Sequence, residues 1–350
     1  MDALKIGRIF GIDIRIHWSW LAIFFLLLWW LAEGFYDEVD SGDEEDANPK
    51  ALRLPSGGYD IGLVIQDKLF DGAGFVMYDR FDHNGFLGDK QIVNGAIQPR
   101  LAVKRRKYRF RILTAANARW FELFLSSGQK FVHIATDGGL LPSPIYRESI
   151  RSATAERNEV IIDFSNYSIG DKIYLENRME QTDGRGPIKV SKEATYQLLR
   201  FDVVGDAPDP SRVPAKLREL PKIDLATVDR RRTFEFERKH GGWVINDRFF
   251  DDNYIMADLP VGSTEIWTLK NGGGGWWHPI HIHLEYFRVL TRNGKVPEKW
   301  ERAKKDVFQL PPNAEVEVLI KARTFRSRWV MHCHNLEHED MAMMMNWKTS

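Results

Sequence analysis

The chain's single cysteine, Cys333, stands between two histidines in His332-Cys333-His334-Asn335-Leu336-Glu337-His338, and Met343 follows His338 by five residues. A thiolate, an imidazole and a thioether in that order are the soft donors of an electron-transferring copper site that needs one more imidazole. The run Trp277-His278-Pro279-Ile280-His281-Ile282-His283, which begins its histidines 55 residues before Cys333, offers it. Six of the ten histidines fall in these two segments, so the segments are read together.

Side chains two apart on a strand share a face, and the one between them points away. If residues 332–334 are extended, the thiolate serves one site and both imidazoles serve another, one residue of backbone apart. The upstream run repeats this logic. His281 and His283 share a face, whereas His278, at an odd offset beyond Pro279, serves the opposite site. His278, Cys333 and His338 are therefore assigned as trigonal ligands with Met343 as a weak axial donor, the pattern of a blue copper site. Met344 and Met345 are alternative axial donors, and core packing is the plain reading of all three methionines. Zinc takes the same donor types, but structural zinc sites usually carry two or more cysteines. Histidine-rich packing without metal is the third reading.

The elements that must position these residues look like short strands. A first series includes Ile61–Ile65, Phe75–Tyr78, Tyr108–Leu113, Trp120–Leu125, Phe131–Ile134, Val160–Phe164 and Tyr196–Phe201, separated by Asp-Gly, Asn-Gly and Gly-Gly turns. A second includes Thr233–Phe236, Glu265–Leu269, Ile280–Leu284, Tyr286–Leu290, Ala314–Ile320 and Trp329–His332. Between the two lies GDAPDPSRVP, residues 205–214, whose three prolines block regular structure. No long helical period interrupts either series. The pattern predicts an all-β protein of two β-sandwich domains.

A length of 350 residues accommodates two such domains, and 43% hydrophobic residues fill their cores. With 49 basic and 49 acidic residues there is no global field to recruit nucleic acid, and no such partner is expected. The run Lys104-Arg105-Arg106-Lys107 reads as a solvated strand edge. One cysteine allows no internal disulfide and leaves the compartment open. From Ile16 to Ala32 the chain carries no charge over 17 residues, with Lys5, Arg8 and Arg15 before it and seven acids between Asp37 and Asp46 after it. This predicts a transmembrane helix acting as an uncleaved anchor, and a membrane-anchored or extracytoplasmic protein. A buried helix is the alternative.

The motifs His278-Pro279-x-His281-x-His283 and His332-Cys333-His334-x-x-x-His338-x-x-x-x-Met343 resemble the last domain of multicopper oxidases. Glu265-Ile266-Trp267, Trp276-Trp277, Leu336-Glu337 and Glu339-Asp340 are most similar to the bilirubin-oxidase and spore-coat-laccase branch. Leu54 to Gln66, Gly88-Asp89, Val93-Asn94-Gly95, Asp137-Gly138-Gly139-Leu140 and Glu156-Arg157 through Asp163-Phe164 resemble that family's middle domain. The resemblance implies two cupredoxin-like Greek-key sandwiches, over residues 53–203 and 226–350, joined by a linker over 204–225. Before them come an acidic linker over 37–52 and the hydrophobic segment 1–36, expected to hold an N-terminal helix. Residues 1–36 resemble the opening of site-2-type membrane metalloproteases, but no His-Glu-x-x-His zinc motif is present, since His338-Glu339 is not followed by the second histidine.

Carried over residue by residue, the resemblance makes His281 a ligand of a type-2 copper and His283, His332 and His334 ligands of a type-3 pair. Glu339 becomes a nearby acid that helps deliver protons, and Cys333 the route of electrons from a small-molecule donor, phenolic or bilirubin-like, toward dioxygen. The family's trinuclear cluster takes eight histidines, of which four are matched here. His17, His83, His133 and His240 are scattered, and none forms a His-x-His pair. Two readings follow from that count. The chain is a copper oxidoreductase with O2 as acceptor if a partner chain supplies the missing histidines. Alternatively it is a truncated or fused remnant that holds type-1 copper and transfers electrons without reducing O2.

Overall fold

The computed structural model describes residues 4–9, 12–16, 52–79, 81–193, 196–323 and 325–350. Two antiparallel strands, Leu4–Ile9 and Ile12–Ile16, belong to the unit Met1–Asp46, and everything below belongs to the unit Ala47–Ser350. The expectation of a transmembrane helix is corrected at this point. Among the described residues no helix is long and apolar enough to cross a membrane. Its expected first residue, Ile16, instead ends a strand whose sequence, Ile12-Asp13-Ile14-Arg15-Ile16, alternates apolar and charged residues with the strand period. The N-terminal helix itself falls on residues outside the described set.

The unit Ala47–Ser350 is built of two β-sandwiches, as the alternation of apolar residues requires. In the first, an eight-stranded sheet includes Gly139–Arg147, Phe131–Thr136, Arg157–Asp163, Lys107–Thr114 and Asp60–Phe70 as neighbours, and faces a five-stranded sheet centred on Lys172–Asn177. Between them lie Phe110, Phe121, Phe131, Phe164 and Phe201, all fully buried. In the second, a six-stranded sheet centred on Thr264–Asn271 and Glu315–Lys321 faces a five-stranded one. The five-stranded sheet runs Ile255–Leu259, Met344–Thr349, Ser327–Cys333, His278–Ile282, Val307–Leu310. Each of the four sheets contains one parallel pair among antiparallel neighbours, such as Asp60–Phe70 with Lys107–Thr114 and Arg230–Lys239 with Thr264–Asn271. The repetition of that mixed pattern makes both halves cupredoxin-like sandwiches.

Cys333 and Met343 sit in the second core beside Trp243, Trp267 and Trp347. The Cys333 group is therefore built into the core rather than carried on a surface loop and is shielded from water, whereas His281 and His283 are only partly buried.

The sandwiches meet along two apolar contacts. In one, Trp120, Ala153 and Met179 of the first pack against Trp277 of the second, the two indoles edge to face at 5.3 Å. In the other, Ile134, Leu140, Leu141 and Ile161 cover Leu217 of the connecting segment and Ala303. Half of the basic run keeps its expected solvated edge, since Lys104 and Arg105 end the edge strand Arg100–Arg105. Arg106 instead turns inward over the Tyr59 ring and donates to Pro208 O at 2.6 Å, and Lys107 pairs with Asp209 at 3.0 Å. The two cations tie down the proline-rich connection, which has no ladder of its own to satisfy its carbonyls.

His133 is fully buried in the first sandwich, with Nε2–H donating to Ala135 O at 2.8 Å. Burial pushes its pKa down from 6.5 to about 3, so the unfolded chain binds a proton there that the folded chain refuses between those values. Stability is thus fully present above 6.5 and falls as the pH is lowered. In denaturant titrations of the metal-free chain, His133→Gln should make the slope of stability against pH shallower by about 1.4 kcal/mol per unit between about pH 4 and pH 6. An unchanged slope would mean that His133 titrates normally.

Candidate copper site

Pairing in the five-stranded sheet places Ile280 opposite Cys333 and His281 opposite His332, so the two motifs become neighbours. The extended backbone then sorts their side chains by face. Cys333 Sγ lies 3.5 Å from His278 Nδ1 and 3.6 Å from His338 Nδ1, and the two nitrogens are 3.2 Å apart. On the opposite side, single donor atoms of His281, His283 and His332 lie within 4.8 Å of one another, with His283 Nε2 and His332 Nε2 at 3.2 Å. The His334 ring stands 5.1 Å from that of His332 and 5.9 Å from that of His281.

His338 reaches Cys333 because the chain turns back at once. Asn335 caps the helix Leu336–Asp340, its Oδ1 accepting from the Glu337 and His338 N–H groups at 3.2 and 3.4 Å. Ala342, at φ 72°, makes the left-handed turn that starts the return strand. Met343 donates its N–H to His338 O at 2.9 Å and accepts the Cys333 N–H at 3.0 Å, so its backbone joins both. Met343 is fully buried, as are Cys333 and His338, and His278 is 1% exposed. Met344 lies opposite His332 on the return strand and Met345 opposite Met331.

Several groups in the site carry no signal in the sequence. Asn84, from a loop of the first sandwich, accepts His338 Nε2–H on its main-chain oxygen at 3.1 Å. That bond assigns the proton to Nε2 and leaves Nδ1 as the lone-pair donor facing Cys333. The loop comes so near that a Cβ on Gly85 would lie 2.8 Å from Asn335 Nδ2 and 2.7 Å from Ala118 Cβ, so only glycine fits. Trp243 covers the other face of His338, ring to ring at 3.8 Å, and meets His278 edge to face at 5.6 Å. In the second cluster His281 Nδ1–H donates to Asp306 O at 2.9 Å and His332 Nδ1–H to Cys333 O at 3.2 Å, with Glu339 Oε2 also 3.2 Å from that nitrogen. Both bonds occupy the δ nitrogen and free Nε2 as a donor. Thr154 of the first sandwich donates to His334 O at 2.7 Å.

The electrostatics favour neutral donors. Burial pushes His278 and His281 down to about 3, and His283 to about 4 with help from the neighbouring imidazoles. Burial pushes the Cys333 thiol up, against the smaller opposing effect of the Asn335 N–H. Burial also disfavours a charged Glu339, but the bonded His332 ring and the other imidazoles hold its carboxyl below the usual range.

These donors fit a soft or borderline transition metal. The triangle of 3.2, 3.5 and 3.6 Å has a centre about 2.0 Å from each corner, near metal–imidazole and metal–thiolate bond lengths. No carboxylate enters it, which disfavours hard cations.

Residues 212–350 match the multicopper oxidase family. Among curated proteins the chain is 38% identical over 315 residues to a bilirubin oxidase of Albifimbria verrucaria, and 33% identical over 337 residues to a laccase of Bacillus subtilis. The matches cover 85% of this chain but only 54% and 64% of those proteins, so the chain spans between half and two thirds of the length of the curated relatives it matches. Among solved structures, a variant of the McoA multicopper oxidase from Aquifex aeolicus aligns with a TM-score of 0.78 at 30% identity, covering 88% of this chain and 70% of that one. Taken with the two histidine-rich clusters, this similarity establishes that the chain belongs to the multicopper oxidase family, related to laccases and bilirubin oxidases.

Proposed function

We propose that this chain is a copper-binding electron-transfer member of its family. His278, Cys333 and His338 would hold a type-1 copper, with Met343 as a further weak donor. The observation that carries this reading is the convergence of Cys333 Sγ with two imidazole nitrogens in a dry pocket. Bound copper would supply one-electron chemistry, and a His2Cys set with a long methionine contact suits it to outer-sphere transfer.

The chain's own residues prepare that chemistry. Asn84 orients His338, and Trp243 packs on its face, so the ring has no room to swing away when the metal changes charge. The donor is a small reductant of phenolic or bilirubin-like kind, the latter in keeping with the name of one relative, a bilirubin oxidase. With metal held at both clusters, the Cys333 backbone toward His332 and His334 would be the route for electrons between them. His281, His283, His332 and His334 would supply half of the ligands of an oxygen-reducing trinuclear centre, with Glu339 3.2 Å from His332 as a proton-handling acid. Four-electron reduction of O2 would require four further histidines, which a partner chain is one way to supply. This makes electron transfer at the type-1 site, rather than O2 turnover, the favoured function of the sequence as it stands.

Three expectations follow from these roles. The full chain loaded with Cu(II) should show the intense blue band of a copper thiolate, and Cys333→Ser should abolish it whereas His281→Gln should not. Colour that persists in the serine variant would refute the ligand assignment. Oxygen-electrode traces with a phenolic donor should show no sustained uptake by the chain alone, and four coppers per chain with steady uptake would favour the oxidase reading instead. The pH dependence of loading is a separate check. The thiol is held protonated and His278 is already neutral through the neutral range, so copper uptake displaces about one proton. Affinity measured against a competing chelator should therefore rise about tenfold per pH unit between about pH 5 and pH 8, and a flat profile would show that Cys333 is not the ligand.

A further inference from the structure

Asp137 and Glu156-Arg157 belong to motifs that the copper reading does not use. All three come from the first sandwich, and all three are directed at one short stretch of the second, Lys304–Gln309. The Lys305 ammonium, 1% exposed, lies 2.8 Å from Asp137 and 3.3 Å from Glu156. Glu156 also accepts from Gln309 Nε2 at 2.7 Å, and Asp137 accepts the Arg157 and Val307 N–H groups at 2.8 and 3.3 Å. Gly138 N–H donates to Lys304 O at 3.0 Å across a gap with no room for a side chain, since a Cβ there would lie 2.5 Å from that oxygen. Arg157 completes the clasp. Its Nη1 and Nη2 donate to the two carboxylate oxygens of Asp306 at 2.8 and 2.5 Å, and Nη1 also donates to Ala155 O at 2.9 Å.

Asp306 matters because His281 is bonded to its main chain and not to its side chain. The Asp306 carbonyl accepts His281 Nδ1–H at 2.9 Å and Ile282 N–H at 3.0 Å, while the nearer carboxylate oxygen stays 3.8 Å from the same Nδ1. A two-point guanidinium–carboxylate pair is strong and directional, so the fork of Arg157 determines where the carboxylate points. Without the fork, a carboxylate with 15% side-chain exposure would lose its main cationic partner beside a competing N–H donor. It would then turn toward His281 and pull the ring off the carbonyl.

We propose that Arg157 is a positioning residue for the metal-binding face of His281. By holding the Asp306 carboxylate away, it keeps the imidazole on the main-chain oxygen with Nε2 as the free donor beside His283 and His332. The proposal rests on reading His281 as a metal ligand. It means that the first sandwich, which contributes no ligand of its own, sets the aim of one that the second sandwich provides.

The test is a rescue experiment on the full chain. Imidazole 15N–1H correlation spectra of the metal-free protein are recorded, with the His281 signals assigned by their loss in His281→Gln. Wild-type protein should show a single His281 form with the proton on Nδ1. In Arg157→Leu the His281 Nδ1 signal should shift or vanish through exchange, while those of His278 and His338 stay. In the double variant Arg157→Leu with Asp306→Ala, which removes the carboxylate but keeps the main-chain oxygen, the wild-type His281 signal should return. Cu(II) affinity of the three-histidine cluster should fall about 10- to 100-fold in the single variant and recover in the double. A wild-type His281 signal in Arg157→Leu, or a double variant no better than the single, would overturn the proposal. If Arg157→Leu does not fold, Asp306→Ala alone decides, because its His281 signal must stay as in wild type. The blue band is read in the same samples after copper loading. Its absence from wild-type protein would sink the copper reading and leave the His281 result standing, whereas a blue wild type without rescue would sink only the role of Arg157.

Discussion

Adjacent residues on an extended strand point to opposite faces, and the segment His332-Cys333-His334 builds two donor clusters on that single constraint. Cys333 turns into the core of the second sandwich and meets His278 and His338. His332 turns the other way and meets His281 and His283. Neither cluster could be moved without the other, because one peptide unit joins them. The neighbouring strand His278–Ile282 obeys the same alternation in register, which is why two motifs far apart in the chain fill both sites from opposite sides.

Around that constraint, the structure keeps the donors neutral and oriented. Burial disfavours protonation of His278, His281, His283, His334 and His338, and hydrogen bonds to one nitrogen of three of the rings select which is left to bind. Asn84 does this for His338, Asp306 for His281 and Cys333, with Glu339 beside it, for His332. In each case a main-chain oxygen accepts, and its position depends on the packing of whole segments. The first sandwich is thus a working part of the site. It lays the loop of Asn84 over His338, bonds Thr154 to the His334 carbonyl and grips the bend that carries Asp306.

The buried charges between the sandwiches follow from the same requirement. Lys305, Asp137 and Glu156 are all but inaccessible to water, and such groups are tolerated only when paired and hydrogen-bonded. Their pairing is directional where apolar contact is not. The Trp120–Trp277 contact allows the sandwiches to slide, whereas the ionic clasp fixes their register to within a hydrogen bond. That precision is what a site assembled from both halves needs.

The sequence by itself determined the donor types and their sorting, because spacing of one, two and five residues translates directly into strand faces and a short return loop. It also determined the β architecture, through alternation and turn residues. It misled where composition stood in for context. An uncharged run suggested a membrane helix, yet the strand period already governs the residues up to Ile16. A run of four bases suggested a solvated edge, which holds for Lys104 and Arg105, yet Arg106 turns inward to hold the connecting segment. Only the tertiary structure could decide the roles of Asn84, Trp243, Asp306 and Arg157. Asn84, Trp243 and Asp306 reach the histidines across between 25 and 254 positions of chain and Arg157 acts only through Asp306, while a carbonyl oxygen is the same in every residue and leaves no mark in a sequence.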